Sequence, residues 1–521
     1  MKKIIDCTLR DGGYHTKWNF DQDFLDSYFK LLKNNPTLES EIGYKRHYLS
    51  VDDAALGKLA FCQNSFLSYV DSFNLKNKLW IMLDVKELKI LEMDPSSYLD
   101  SLSIFSGSLS PVSAIRLAVK LSDLDYAIYL AKELNNRGYE VAVNIMSVFK
   151  HQPEAICESV EILSKIDLSR IYLADSEGIG NPILMLNLFE SISSKVDRTI
   201  DIGFHSHNNN GMAMAWCLLP VSKLIDACDG SFLGFGRGAG NASTELLMAY
   251  FSELSAKQCS YIISFINDYI KPLQVKYEWG TSLATIIGSK LKLNQNQLLQ
   301  FVEPRQFNIE QKISAMYKYN SLNIEKISSD EKNIISKNLV QVANKSVLIV
   351  ASGMTMQNCS FADSINLYIE KYNPVIIEIN VVTSLENNIY RITCVNSLER
   401  LCQVLSRLRS EPSQYITSDK KIYSVLLEKN KDSKVCFIDE KTLNNELSSD
   451  QIRHSVCVAM AYSSLNGAKD IWLAGVDGEE SLVSRFSLVQ RAIDTISKNI
   501  PIYSLTPTRH FLPLKLVHSI V

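Results

Sequence analysis

Residues 113–146 read SAIRLAVKLSDLDYAIYLAKELNNRGYEVAVNIM, and this stretch decides the fold. An apolar run from Ser113 gives way at Asp123 to a segment whose leucines and alanines recur every three or four residues. A second apolar run follows from Tyr139. Near-continuous apolar runs suit parallel strands, because helices cover both faces of the sheet. Gly138 can end the helix just before the second strand. The same β–α alternation extends on both sides. Strand-like runs begin at Lys2 (KKIIDCT), Ser40 (SEIGY), Leu79 (LWIMLD), Arg170 (RIYLADS), Thr199 (TIDIGFHSH) and Asp229 (DGSFLGFG). Eight such units in the first 240 residues are the arithmetic of a TIM (β/α)8 barrel. An open doubly wound sheet uses the same alternation, and the count of eight favours the barrel.

From Thr244 to about Val340 the strand signals stop and the pattern is helical. The polar segment ISSDEKNIISKN, from Ile327, reads as a linker. From Lys345 the alternation returns in SVLIVASG, PVIIEINVV, YRITCV, KVCFID, DIWLAGVDG and IYSLTP, the pattern of a second α/β domain with an open sheet. The expected division is a barrel over 1–256, a helical extension and linker over 257–340, and a C-terminal α/β domain over 341–521.

The 521 residues are 46% hydrophobic and 21% charged, which excludes collagen-like and disordered chains. Lys and Arg number 54 against 57 Asp and Glu, with no basic half, so nucleic-acid or anionic-membrane binding has little electrostatic support. No run approaches 18 apolar residues, so no transmembrane helix is expected, and the opening MKKIIDCTLRDGG reads as a first strand rather than a signal peptide. The eleven cysteines show no C-x-x-C spacing, which disfavours zinc knuckles and disulfide frameworks and fits a reducing cytoplasm.

In a barrel, function sits at the C-terminal ends of the strands, and these ends are polar here. The first carries Thr8-Leu9-Arg10-Asp11-Gly12-Gly13, the seventh His205-Ser206-His207-Asn208-Asn209-Asn210, and the eighth GFGRGAGN, ending at Asn241. Residues two apart on a strand share a face, so the His205 and His207 imidazoles can converge. Two imidazoles and the Asp11 carboxylate make a divalent-metal set; two histidines simply bonded at a strand end are the alternative. GFGRGAGN lacks the Rossmann spacing and a Walker lysine, so it reads as close backbone packing that brings Asn241 to the site.

DCTLRDGG, HSHNN and GFGRGAGNASTE, in this order and separation, resemble the metal-dependent family of 4-hydroxy-2-oxovalerate aldolase, which includes hydroxymethylglutaryl-CoA lyase and the isopropylmalate and homocitrate synthases. DCTLRDGGY with Trp18, EIGY at Glu41 and YEWG at Tyr277 look most like a branch with a long C-terminal extension, often associated with surface-polysaccharide gene sets. SVLIVASG, CVNSLER, WLAGVDG and LTPTRH resemble that extension.

The resemblance implies Asp11, His205 and His207 as metal ligands, with Asn241 a fourth ligand or a close neighbour. It implies Mn²⁺ first, with Mg²⁺, Co²⁺ or Zn²⁺ as alternatives. Arg10 is similar to the family arginine at the enolate oxygen, and His15 lies one residue beyond the expected place of the family's histidine base. A loop histidine with no catalytic duty is the equal alternative, in which case Tyr14 or a metal-bound water serves in its place. Asn144, Asp175, Ser176 and Arg116 are further candidates for substrate contact, with Arg116 equally able to form an ion pair with Asp84 or Asp175. In the second domain Ser352-Gly353 and Asp477-Gly478 follow apolar strands, and Arg400 and Arg509 can grip an anion.

The implied activity is that of an aldolase, cleaving or forming a 4-hydroxy-2-oxo acid from pyruvate and an aldehyde in a cytoplasmic homo-oligomer. Two alternatives stand beside it: a Claisen-type acyltransferase using acetyl-CoA, for which no basic cluster is visible, and a non-catalytic ligand-binding scaffold, against which the intact polar strand ends argue.

Overall fold

The structure, a computed structural model, describes residues 2–49, 53, 55–105, 111–195, 200–218, 224–302, 308–321, 342–351, 356, 359–380, 392–397, 400–402, 414–429, 434–444, 446–448, 450–477 and 483–515. The chain divides into two compact units, Met1–Leu299 and Gln300–Val521. The helices that follow the barrel, as far as residue 299, therefore belong to the barrel unit. The linker expected from Ile327 lies outside the described residues.

In the first unit, β1 (Lys3–Asp6), β2 (Glu39–Tyr44), β3 (Leu79–Asp84), β4 (Ala114–Val119), β5 (Glu140–Ile145), β6 (Arg170–Asp175), β7 (Asp201–Ser206) and β8 (Ala227–Gly230) form a closed, parallel barrel in chain order. Closure pairs Lys3 with Ala227 and Asp6 with Gly230. The stretch quoted above forms β4, a helix over Leu124–Asn136, and β5. That helix buries Leu124, Ala127, Leu130, Ala131 and Leu134 at the spacing of one face, and Gly138 follows it at φ 84°. A fully buried leucine contributes roughly 1.5–3 kcal/mol, so this face rather than helix propensity holds the segment.

The barrel interior follows the two-residue period of its strands. Ile5, Cys7, Trp80, Ala114, Ala142, Tyr172 and Ala227 form one buried cluster, small residues making room for two large rings. Gly203 has the same purpose: a Cβ there would lie 2.3 Å from the Tyr172 ring. At the N-terminal end Arg170 pairs with Glu39 at 2.6 Å, and the Trp80 indole donates to the same carboxylate at 2.7 Å. Glu41, Arg116, Asn144 and Asp229 each lie two residues further along their strands, one layer nearer the C-terminal mouth.

Two strand boundaries differ from expectation. β8 ends at Gly230, the second residue of the DGSFLGFG run expected to form it; Phe232–Gly234 make a 3₁₀ turn instead. Leu233 is held there at φ 49° with its amide bonded to Glu245. β1 stops at Asp6, and Thr8–Asp11 turn into a short helix. Beyond the barrel the chain is helical, as expected: Ala256–Phe265 packs Phe265 against Phe24, Tyr28 and Phe232.

The second unit holds a seven-stranded parallel sheet of β9 (Ser346–Val350), β10 (Val375–Ile379), β11 (Ile392–Cys394), β12 (Gln414–Thr417), β13 (Lys434–Phe437), β14 (Asp470–Ala474) and β15 (Ile502–Ser504), in the order 13-12-11-10-9-14-15. This is the open sheet expected. β12 is the strand that the sequence hides, since Tyr415 and Ile416 stand between Gln414 and Thr417 with no apolar run around them. The helix Ser455–Leu465, buried over Val456–Ser463, returns the chain from the far edge to β14 beside β9. Strand order reverses between these two, the usual position of a ligand crevice. Ser352, Gly353 and Gly478 fall outside the described residues. Asp477 accepts from the Arg509 amide at 2.9 Å through its backbone carbonyl.

Candidate metal centre at the barrel mouth

The site begins with the turn that ends β1. The buried Asp6 carboxylate accepts from the Thr8 amide (3.1 Å) and hydroxyl (3.0 Å), and from the Tyr28 and Thr244 hydroxyls (2.6 Å each). Burial raises its pKa to about 6 against the pull of these donors. Anchored this way, the chain coils at Thr8 and places Arg10 and Asp11, both buried, side by side.

His205 is the penultimate residue of β7 and His207 lies just beyond the strand, bridged antiparallel to Asn241 on the glycine-rich loop. That loop needs Gly236: a Cβ there would sit 2.3 Å from Asn241 Nδ2 and 2.5 Å from Asp11 Oδ2. The result is convergence. Ligand atoms of Asp11, His205 and His207 lie within 4.8 Å of one another, all in buried residues. The Asn241 amide nitrogen donates to Asp11 Oδ2 at 2.7 Å; among the described residues its Oδ1 is buried with no partner, and His207 Nδ1 is likewise buried and unpartnered.

A carboxylate, two imidazoles and an unsatisfied amide oxygen fit a divalent cation. The electrostatics agree. Burial alone would raise the Asp11 pKa, but Arg10, then His207 and His205, outweigh it and hold the carboxyl well below its usual range. Burial pushes His207 down to about 4 despite Asp11, so its imidazole is the neutral, ligating form near pH 7. Cys7, His205 and Asp229 also lie within 4.8 Å. There, however, the Arg116 guanidinium already supplies the positive charge, 2.7 Å from Asp229 Oδ2 and 3.5 Å from Cys7 Sγ.

Behind Asp11, His205 and His207 runs a buried chain of charges. Arg10 donates from Nη1 to Asp11 Oδ1 and from Nε to Glu41 Oε2, each at 2.6 Å. Glu41 also accepts from Arg116 at both oxygens, 2.8 and 2.7 Å. Arg116 reaches Asp229, whose Oδ2 is 2.9 Å from His205 Nδ1. Arg116 is 1% exposed and pairs with Glu41 and Asp229; of the two readings the sequence left open, substrate contact or an ion pair, the partners of the ion pair are these and not Asp84 or Asp175, because its strand position faces the barrel axis. Glu41 and Asp229 were absent from the sequence-derived site; their signal was strand parity, an acidic residue at an inward position of a buried strand.

The other candidates are placed around this centre. The His15 Nε2 is 2.8 Å from the Gly236 carbonyl, and the ring packs among Phe235, Tyr277 and Trp279, the last two from the helical extension. Burial lowers its pKa. The Tyr14 hydroxyl is 3.0 Å from that of Tyr44, a buried neighbour at the end of β2 that sequence reading passed over. Asn144 keeps a buried, unpartnered Oδ1. Asp175 is turned into its own loop, accepting from the Ile179 and Gly180 amides at 2.9 Å, with burial raising its pKa to about 7. Ser176 accepts from the Ser147 amide at 3.0 Å.

Comparison with known proteins bears on this geometry. Residues 112–263 match the HMGL-like family model. A 4-hydroxy-2-oxovalerate aldolase from Carboxydothermus hydrogenoformans is 30% identical over 255 residues, 48% of this chain and 71% of that protein. An oxaloacetate decarboxylase from Mycobacterium tuberculosis is 24% identical over 248 residues, 47% of this chain and 68% of that protein. Among solved structures, the N-terminal domain of a provisionally named aldolase from Bacteroides vulgatus is 27% identical, covering 58% of this chain and 97% of that one with a TM-score of 0.48. The matched region spans from 40% to 71% of the curated aldolases' length.

Proposed function

The chain belongs to the HMGL-like family, and on that premise we propose that its barrel is a divalent-metal-dependent aldolase, making or breaking the C–C bond of a 4-hydroxy-2-oxo acid through the enolate of pyruvate. The observation that carries this reading is the convergence of Asp11, His205 and His207 beside Arg10. Asp11, His205, His207 and the Asn241 amide oxygen would hold the cation, Mn²⁺ first among those the donor set suits. Bound there, it supplies Lewis-acid polarisation of a 2-oxo acid.

The chain's own groups do the rest. Arg10 is clamped by Asp11 and Glu41, leaving Nη2 buried and without a partner. A fixed cation of this kind stabilises the negative charge that develops on the 2-oxo oxygen without reorganising. His15, donating from Nε2 to the Gly236 carbonyl, keeps the lone pair on Nδ1, and its lowered pKa leaves it unprotonated near neutrality. It takes the proton of the 4-hydroxyl; the C3–C4 bond then breaks, an aldehyde leaves, and the electron pair stays with the enolate. The same proton, returned to C3, completes pyruvate. The Tyr14–Tyr44 hydroxyl pair is the second route for that proton.

Exchange of the pyruvate methyl protons in D₂O, followed by ¹H NMR on protein of measured metal content, tests the reading. We expect exchange that chelation stops and added Mn²⁺ restores. Metal-loaded, folded protein that shows no exchange would overturn it.

A further inference from the structure

Five arginines described in the barrel unit have a carboxylate within 4 Å: Arg10, Arg46, Arg116, Arg137 and Arg170. Arg237 has none among the described residues. Its Nη2 donates to the neutral side chain of Asn296, and its Nε is buried without a partner among the described residues. The guanidinium carbon lies 4.7 Å from the ring centroid of Tyr14, which is 38% exposed in the short helix Gly13–Thr16. Its backbone amide donates to Asp11 Oδ2 at 3.3 Å, so the residue stands directly beside the proposed metal ligands. This is a cation at the mouth of the site with no anion of its own among the described residues.

The charges around it say what is missing. Arg10 and Arg116 face three carboxylates, Asp11, Glu41 and Asp229, leaving one negative charge. A divalent cation turns this into one positive charge, and the carboxylate of a 2-oxo acid neutralises it. The charge of Arg237 is then surplus. Guanidinium presents a planar fork suited to carboxylate and phosphate. Resting on the aldolase reading above, we propose that Arg237 binds a carboxylate or phosphate carried by the aldehyde partner, making the enzyme selective for an anionic acceptor.

Matched acceptors test this on the metal-loaded full chain with pyruvate: succinic semialdehyde against its methyl ester, and D-glyceraldehyde 3-phosphate against D-glyceraldehyde. We expect kcat/KM to favour the charged member of at least one pair by on the order of 10²-fold, the scale of one charged contact, and the responding pair identifies carboxylate or phosphate. Arg237→Ala should collapse that ratio to a few-fold, mainly through KM, while Arg237→Lys keeps part of it. A wild-type enzyme indifferent to charge in both pairs, or a variant that loses both members equally, overturns the proposal. Methyl-proton exchange in the same samples separates the failures. Exchange without charge preference removes the role of Arg237 alone, and no exchange removes the aldolase reading with it.

Discussion

The Nδ1 of His205 lies 2.9 Å from Oδ2 of Asp229, one strand away across the β7–β8 pair. The carboxylate accepts the Nδ1 proton and so leaves Nε2 as the lone-pair nitrogen. It fixes both the tautomer and the ring plane of a proposed metal ligand. Asp229→Asn replaces an obligate acceptor with a group that can also donate. The variant should fold with an unchanged circular dichroism spectrum yet bind Mn²⁺ roughly 10–100-fold more weakly by isothermal titration. Unaltered affinity would show that the His205 ring is held by other contacts.

Arg10→Ala removes the clamped cation. At saturating Mn²⁺ we expect metal content near that of the wild type and a kcat lower by on the order of 10²–10³, the usual loss for one transition-state donor. Arg10→Lys should recover only part, since a point charge cannot bond Asp11 and Glu41 together. A variant with wild-type kcat would assign Arg10 to architecture.

Gly236→Ala tests the loop packing. Its methyl group would displace Asn241 and Asp11 side-chain atoms that lie within 2.5 Å of the added Cβ. Misplacement of about 1 Å costs on the order of 10²-fold in kcat/KM, with thermal stability changed far less. Equal activity in the variant would mean that the loop relaxes outward.

Glu245, which accepts from the Leu233 amide, has its pKa raised by burial from 4.5 to about 7. A carboxyl whose folded pKa is raised contributes stability below its unfolded pKa, and that contribution is lost as pH rises through the folded value. Glu245→Gln keeps the hydrogen bond without the charge. Relative to wild type it should gain about 1–3 kcal/mol in urea unfolding on going from pH 4 to pH 8. No pH-dependent difference would show that the carboxylate is solvated.

Glu41→Gln weakens the shared anchor of two buried guanidinium groups. Breaking a buried pair costs about 3–5 kcal/mol, so the barrel's unfolding transition should shift to lower urea. A shift no larger than that of a surface variant would mean that Arg10 and Arg116 are neutralised elsewhere.

How much of this was legible beforehand follows from the range of each interaction. Near-continuous apolar strands, the leucine spacing of Leu124–Asn136 and the stop at Gly138 are local, and they sufficed for a barrel followed by an open sheet. The His205–His207 spacing, read with the polar end of the first strand, was local too. Strand ends were less legible: Leu233 takes its positive φ from a bond to Glu245, twelve residues on, and β12 carries no apolar run because its neighbours in the sheet supply the burial. The partners of Arg116 were invisible for a plainer reason. Glu41 and Asp229 stand 75 and 113 residues from it in the chain and meet it only once the barrel has closed. The sequence alone determined which residues carry charge and which face of a strand each occupies. The tertiary structure decided which charges share the low-dielectric interior, where a carboxylate within 3 Å sets how a guanidinium or an imidazole is held.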